Sequence, residues 1–194
     1  MRAISSLLAI SLVALASVAS ADTAEWAIDA SHSHVGFNIS HLVVSRVDGR
    51  FKDVSGKVQL DEADLTKSQV DLTIKVDSID TDEPKRDEHL KSPDFFDSKK
   101  FPVITFHTTK IVKGGKGYKV TGDLTIRDVK KSVTLDGTLS QPIKSPWGKL
   151  VRGAKFEGKI KRGDFGLKWN KALEAGGVVV GEDVQLNVAL EINK

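Results

Sequence analysis

From His34 onward the apolar residues fall on every second position, the repeat of β-strands with one buried face. Val35, Phe37 and Ile39 begin the pattern; Val70, Leu72, Ile74 and Val76 then share one face while Asp71, Thr73, Lys75 and Asp77 share the other. A helix would mix those two sets. The alternation returns at Ile104 and Phe106, at Tyr118, Val120, Leu124 and Ile126, and at Val133, Leu135 and Leu139. It closes with Phe156 and Ile160, then Val184, Leu186, Val188, Leu190 and Ile192. Strands covered on both faces by helices would read as unbroken apolar runs, so the pattern predicts an antiparallel all-β sheet with one wet side.

Hairpin turns are predicted at Lys113-Gly114-Gly115-Lys116-Gly117 and at Arg127-Asp128-Val129-Lys130-Lys131, which makes sequential strands neighbours. Roughly eight or more strands, each with one apolar face, must stack as a sandwich or curl into a barrel, and periodicity leaves that choice open. One segment departs from the repeat. Asp82 is the expected cap of a short helix with Glu83 and Pro84 in its first turn, ended by Ser92-Pro93. The adjacent Phe95-Phe96 pair cannot point one way from a regular strand. Residues 83–96 therefore read as a cap across one end of the sheet, or as a long connection.

The N-terminus changes the picture of where the domain works. Arg2, the apolar run Ile4 to Val18 and the small residues Ala19-Ser20-Ala21 form a secretory signal pattern, with cleavage expected after Ala21. The run is shorter than the roughly 20 residues of a membrane span. Residues 22–194 are then one domain, expected to be soluble and, in a bacterial envelope, periplasmic. The chain has no cysteine, which removes disulfides, thiolate catalysis and an acylated lipoprotein anchor. Without Arg2 the 29 basic residues become 28 against 26 acidic, a net charge of +2. The charges are interleaved, as in Asp82-Glu83-Pro84-Lys85-Arg86-Asp87-Glu88, and no basic cluster alternates with aromatics, which speaks against a nucleic-acid partner.

Three constellations invite chemistry. His32 and His34 share a strand face near His41, but nothing in the sequence supplies a further metal ligand at a fixed spacing, so no metal is assigned. Arg86, Asp87, Glu88 and His89 place acid, base and cation in one turn, and Ser33 is a conceivable nucleophile. No elbow glycines present that serine, and a surface ion network accounts for the turn, so no catalytic residue is assigned. Asp164-Phe165-Gly166 matches a kinase triplet by chance, since no glycine-rich phosphate loop accompanies it.

Several blocks together resemble the YceI-like family of exported, lipocalin-like polyisoprenoid-binding proteins. They are Asp29-Ala30-Ser31-His32-Ser33, Val35, Phe37 and His41, Gly49-Arg50-Phe51, Ser55-Gly56 and Ser78-Ile79-Asp80-Thr81. Arg86-Asp87, His89-Leu90, Ser92-Pro93-Asp94-Phe95-Phe96-Asp97, Phe101-Pro102, Phe106, Gly122-Asp123-Leu124-Thr125-Ile126 and Arg162-Gly163-Asp164-Phe165-Gly166-Leu167 complete the match. Asp128 departs from the glycine usual at that hairpin.

The resemblance implies a single closed antiparallel barrel with the helix, about residues 83–91, near one end, and a lumen for an isoprenoid tail. It implies no catalytic residue and no cofactor. A strand of about eleven residues tilted by about 40° gives a barrel roughly 28 Å tall, enough for much of a prenyl chain. The expected lumen residues are Phe37, Ile39, Leu72, Ile74, Leu124, Ile126, Leu135, Ile160, Leu186, Val188 and Leu190. The expected mouth residues are His32, Arg86, Asp87, His89, Phe95 and Phe96. The function expected is a periplasmic carrier of a quinone-like or prenyl lipid, with no stable membrane insertion. The alternatives are an enzyme acting on a lipid at the mouth and an envelope-stress interaction module without ligand.

Overall fold

The computed structural model describes residues 23–174 and 176–194; the signal pattern of residues 1–21 lies outside them. Twelve strands and one α-helix follow in chain order. The strands are β1 (Thr23–Ile28), β2 (His34–His41), β3 (Ser45–Phe51), β4 (Val54–Asp61), β5 (Gln69–Lys75) and β6 (Ile79–Asp80). After α1 (Pro84–Lys91) come β7 (Val103–Gly114), β8 (Gly117–Ile126), β9 (Val129–Leu139), β10 (Ile143–Lys144), β11 (Leu150–Lys161) and β12 (Val180–Asn193).

Every strand pairing is antiparallel. An eight-stranded barrel closes through β1, β4, β5, β7, β8, β9, β11 and β12, with β11 pairing β12 over its whole length from Val151–Asn193 to Lys161–Asp183. Closure leaves the long strands without a free edge, which settles the sandwich-or-barrel choice. The strand β12 has two partners on its other side: β1 meets only its last residues, whereas β2 runs along Val180 to Ala189. From β2 the wall continues to β3 and β6.

The predicted alternation holds through the long strands. In β8, Val120, Leu124 and Ile126 are buried, and in β5 Leu72 and Ile74 are buried while Lys75 is exposed. Val76, read with the β5 strand, sits instead in a 3-10 turn (Val76–Ser78), where it is buried. The β7–β8 hairpin turns on Gly115, whose φ of 55° suits glycine, and the β8–β9 turn is only Arg127-Asp128, with strand resuming at Val129. Gly49 is required for space: a Cβ there would lie 2.2 Å from the ring of Phe37 on the paired strand.

The helix forms where expected but is capped one residue later. Asp82 adopts a φ of 59° outside the helix, and it is the Glu83 side chain that accepts from the Lys85 N–H, with Pro84 opening the helix. Phe95 and Phe96 lie in turns between Ser92 and Lys100 rather than in a strand, so both can face inward. Arg127 fastens this cap to the barrel, donating from Nη1 to the Phe95 carbonyl at 3.3 Å and lying over the Phe101 ring. Among the described residues, no helix is long and apolar enough to cross a membrane.

Candidate functional site

The inward faces do not fill the barrel. A cavity of about 550 Å³ occupies the end closed over by α1, within the size range of small-molecule sites. Its walls come from β2 and β3 (Val35, Phe37, Ile39, Val47, Phe51), from β5, β7 and β8 (Ile74, Ile104, Leu124, Ile126), and from β11 and β12 (Ile160, Val184, Leu186). A second lobe of about 130 Å³ lies deeper, between Val58, Leu60, Leu72, Phe106, Val120, Leu135, Phe156, Val188 and Leu190, among others. Val35, Ile74, Leu124 and Leu186 face both lobes.

All eleven expected lumen residues line one lobe or the other. Of the expected mouth residues, Arg86, His89, Phe95 and Phe96 line the outer lobe. Phe96 packs edge-on against Phe51, and His89 stands edge-on to both Phe95 and Trp169 at 5.0 and 4.8 Å between ring centroids. His89 is further held by Asp94, Nε2 to carboxylate at 3.0 Å. The cap is thus a packed aromatic cluster with an orienting hydrogen bond, and its imidazole is positioned rather than free to swing.

Two expected mouth residues stand elsewhere. Asp87 does not line the cavity; its Oδ1 accepts from the backbone N–H and the hydroxyl of buried Thr81 at 2.9 and 2.6 Å. His32 lies at the opposite end of the barrel, where β2 begins and β12 ends, with Nδ1 at 3.1 Å from Asp29 and 3.6 Å from Glu191. The sequence placed it with the mouth because the β2 alternation does not say which end of the strand meets the helix. Asp29 is held down to about 2, first by the Ser31 hydroxyl and then by His32, and His32 is raised by Asp29. Asp29, His32 and Glu191 form a compact surface group of potential metal ligands; His34 and His41 do not join it. Ser33 is far from the Arg86–His89 turn, bonded through its hydroxyl to the Glu191 backbone.

The polar rim contains groups that sequence reasoning missed. Ser40, His41, Glu83, Lys85 and Arg162 all line the outer lobe. Arg162 is buried and donates to the carbonyls of Gly181, Leu167 and Trp169 at 2.8, 2.5 and 2.9 Å, so it clamps the Trp169 loop to β12. Burial pushes its guanidinium pKa down. Leu167, part of the family block, and Trp169 line the lobe from the irregular segment that follows Gly166, where no strand repeat points to them. Arg86 reaches the rim with Nε and Nη2 already donating to Thr81 at 2.8 and 2.6 Å. On the outer wall Asp80 is held well below the usual carboxylate range by Lys52, the Asp82 N–H and Arg50, fixing β6 to β3 beside the cap.

This arrangement, an apolar chamber with a few oriented polar groups at one end, suits a long apolar ligand with a polar head. Known proteins show the same architecture. A domain of Saccharophagus degradans described as polyisoprenoid binding superposes with a TM-score of 0.60 at 18% identity, covering 86% of this chain and 97% of that one. BcnA of Burkholderia cenocepacia superposes with a TM-score of 0.73 at 27% identity, covering 84% of this chain and 98% of its own. In sequence, protein YceI of Escherichia coli is 41% identical over 154 residues, 78% of this chain and 81% of that protein. The YceI-like domain model matches residues 26–192, and the chain belongs to the YceI-like family.

Proposed function

We propose that the protein is a periplasmic carrier or scavenger that holds a quinone-like or prenyl lipid in the barrel lumen. The observation that carries this reading is the apolar chamber of about 550 Å³ continued inward by a lobe of about 130 Å³. The likeness to a domain described as polyisoprenoid binding supports the isoprenoid class. The tail would lie along Phe37, Ile74, Leu124 and Leu186, and the head would stay at the rim beside Arg86 and His89. Burial of each methylene contributes up to ~0.8 kcal/mol, and large ligands realise nearer ~0.3 kcal/mol per atom, so about twenty carbons would give useful affinity without a catalytic group. The leader at residues 1–21 supports export, with Asp22 as the expected mature N-terminus.

Native mass spectrometry of protein purified from its own periplasm tests both parts. A mature chain starting at Asp22 with a retained isoprenoid is the expected result. An empty barrel would favour the interaction-module alternative, and a modified lipid released on turnover would favour an enzyme.

A further inference from the structure

At the cap end of the barrel the β2–β3 hairpin breaks the rules of its own turn. Strands β2 and β3 pair up to His41 and Ser45, and the three residues between them are Leu42, Val43 and Val44. Leu42 and Val43 have φ of 53° and 65°, the left-handed region that Asn and Gly occupy cheaply and a β-branched residue does not. Val43 and Val44 also point at solvent, 73% and 86% exposed, and Leu42 is 38% exposed. Neither local conformation nor burial explains their presence, and strain of this kind is a pointer to function.

The tip is continuous with the chamber. The Leu42 N–H donates to the Val179 carbonyl at 2.8 Å, and Val179, Val180 and His41 line the outer lobe. Val178, also exposed, extends the patch, and Val43 Cγ2 lies near Gly177. A bare aliphatic tip adjoins the rim of a chamber suited to a lipid. We infer that this tip docks the barrel mouth on a lipid bilayer, its aliphatic side chains entering the headgroup layer so that a ligand passes between membrane and lumen without crossing water. The inference rests on the carrier reading. Three aliphatic side chains without a lipid anchor give weak, reversible adsorption, which suits a shuttle. The adjoining charges are mixed, Arg46 and Lys171 with Asp48 and Glu174, so docking is apolar rather than electrostatic.

The full mature chain is sedimented with sucrose-loaded vesicles of phosphatidylethanolamine and phosphatidylglycerol, and its uptake of geranylgeraniol from those vesicles is timed. Val43→Asp with Val44→Asp should lower vesicle partition by about tenfold or more and slow uptake in step. The affinity for geranylgeraniol presented in free solution should be unchanged. Leu42→Asn with Val43→Gly should raise the melting temperature, because it relieves the turn, yet lose partition in the same way. Trp147→Ala is the control: Trp147 is 87% exposed but belongs to the β10–β11 turn at the other end. Partition should survive this change and also about 0.5 M salt, which screens surface charge.

Tip variants that sediment and extract like the parent would overturn the inference, as would loss of partition in Trp147→Ala or in salt. A parent that adsorbs through the tip but takes up no geranylgeraniol even in free solution would instead overturn the carrier reading.

Discussion

Leu186→Trp should convert the barrel from a long-chain to a short-chain binder. Leu186 faces both lobes and is only half-buried, because part of its surface borders the cavity of about 550 Å³. An indole there has room to turn into the lumen and block the passage to the inner lobe. That lobe measures about 130 Å³; at roughly 30 Å³ per water-sized group it takes about four carbon-sized groups. At ~0.3 to ~0.8 kcal/mol each, the loss is about 1 to 3 kcal/mol, about tenfold to hundredfold in Kd. Calorimetric titration with geraniol and with geranylgeraniol measures it. The longer alcohol should lose affinity by that factor while the shorter one, which the outer lobe accommodates alone, changes little. Equal weakening of both, or of neither, would refute the reasoning that the two lobes form one site.

Asp87→Ala should destabilise the fold by about 1 to 3 kcal/mol in urea titration, because it strips the acceptor from the N–H of buried Thr81; Asp87→Asn should recover part of the loss. Arg86→Ala should weaken a polar-headed prenyl ligand more than the bare hydrocarbon by about 1.5 kcal/mol, the low end for a charge-assisted bond since two of its donors already serve Thr81; equal effects in paired titrations would make it purely structural. His32 is raised by Asp29, so its contribution to stability is complete below the ordinary histidine range and fades as pH rises through the raised value. Asp29 acts in the other direction, losing its contribution as pH falls toward about 2. Melting curves across pH should therefore show a step down just above the ordinary histidine range that His32→Gln abolishes.

The barrel wall was legible where strands are long and one face is consistently apolar. The runs β5, β7, β8, β9 and β12 all show the two-residue period that a lumen and solvent impose on opposite faces. The strands β3 and β4 were harder. Val47 and Phe51 are separated by Gly49, whose missing side chain gives way to the ring of Phe37, so the space is occupied but the pattern shows a gap. Closure itself left no mark, because the β11–β12 pairing joins segments whose alternation would look the same in an open sheet.

The candidate site divides along the same physical line. Lumen residues were readable because a side chain lining an apolar cavity follows the same alternation as one in a packed core, and for that reason the sequence could not say whether the core was hollow. Mouth residues depend on which strand ends meet α1, a property of barrel tilt and register rather than of local pattern, and so His32 was assigned to the wrong end while Arg162 and Trp169 were overlooked. The tip at Leu42, Val43 and Val44 shows the opposite relation between sequence and structure. Its residues favour strand, its backbone requires a turn, and its side chains stay in water. A sequence shaped only by folding would place Asn-Gly there, so the mismatch is information about what the mouth meets, carried by a local rule that the fold alone gives no reason to break.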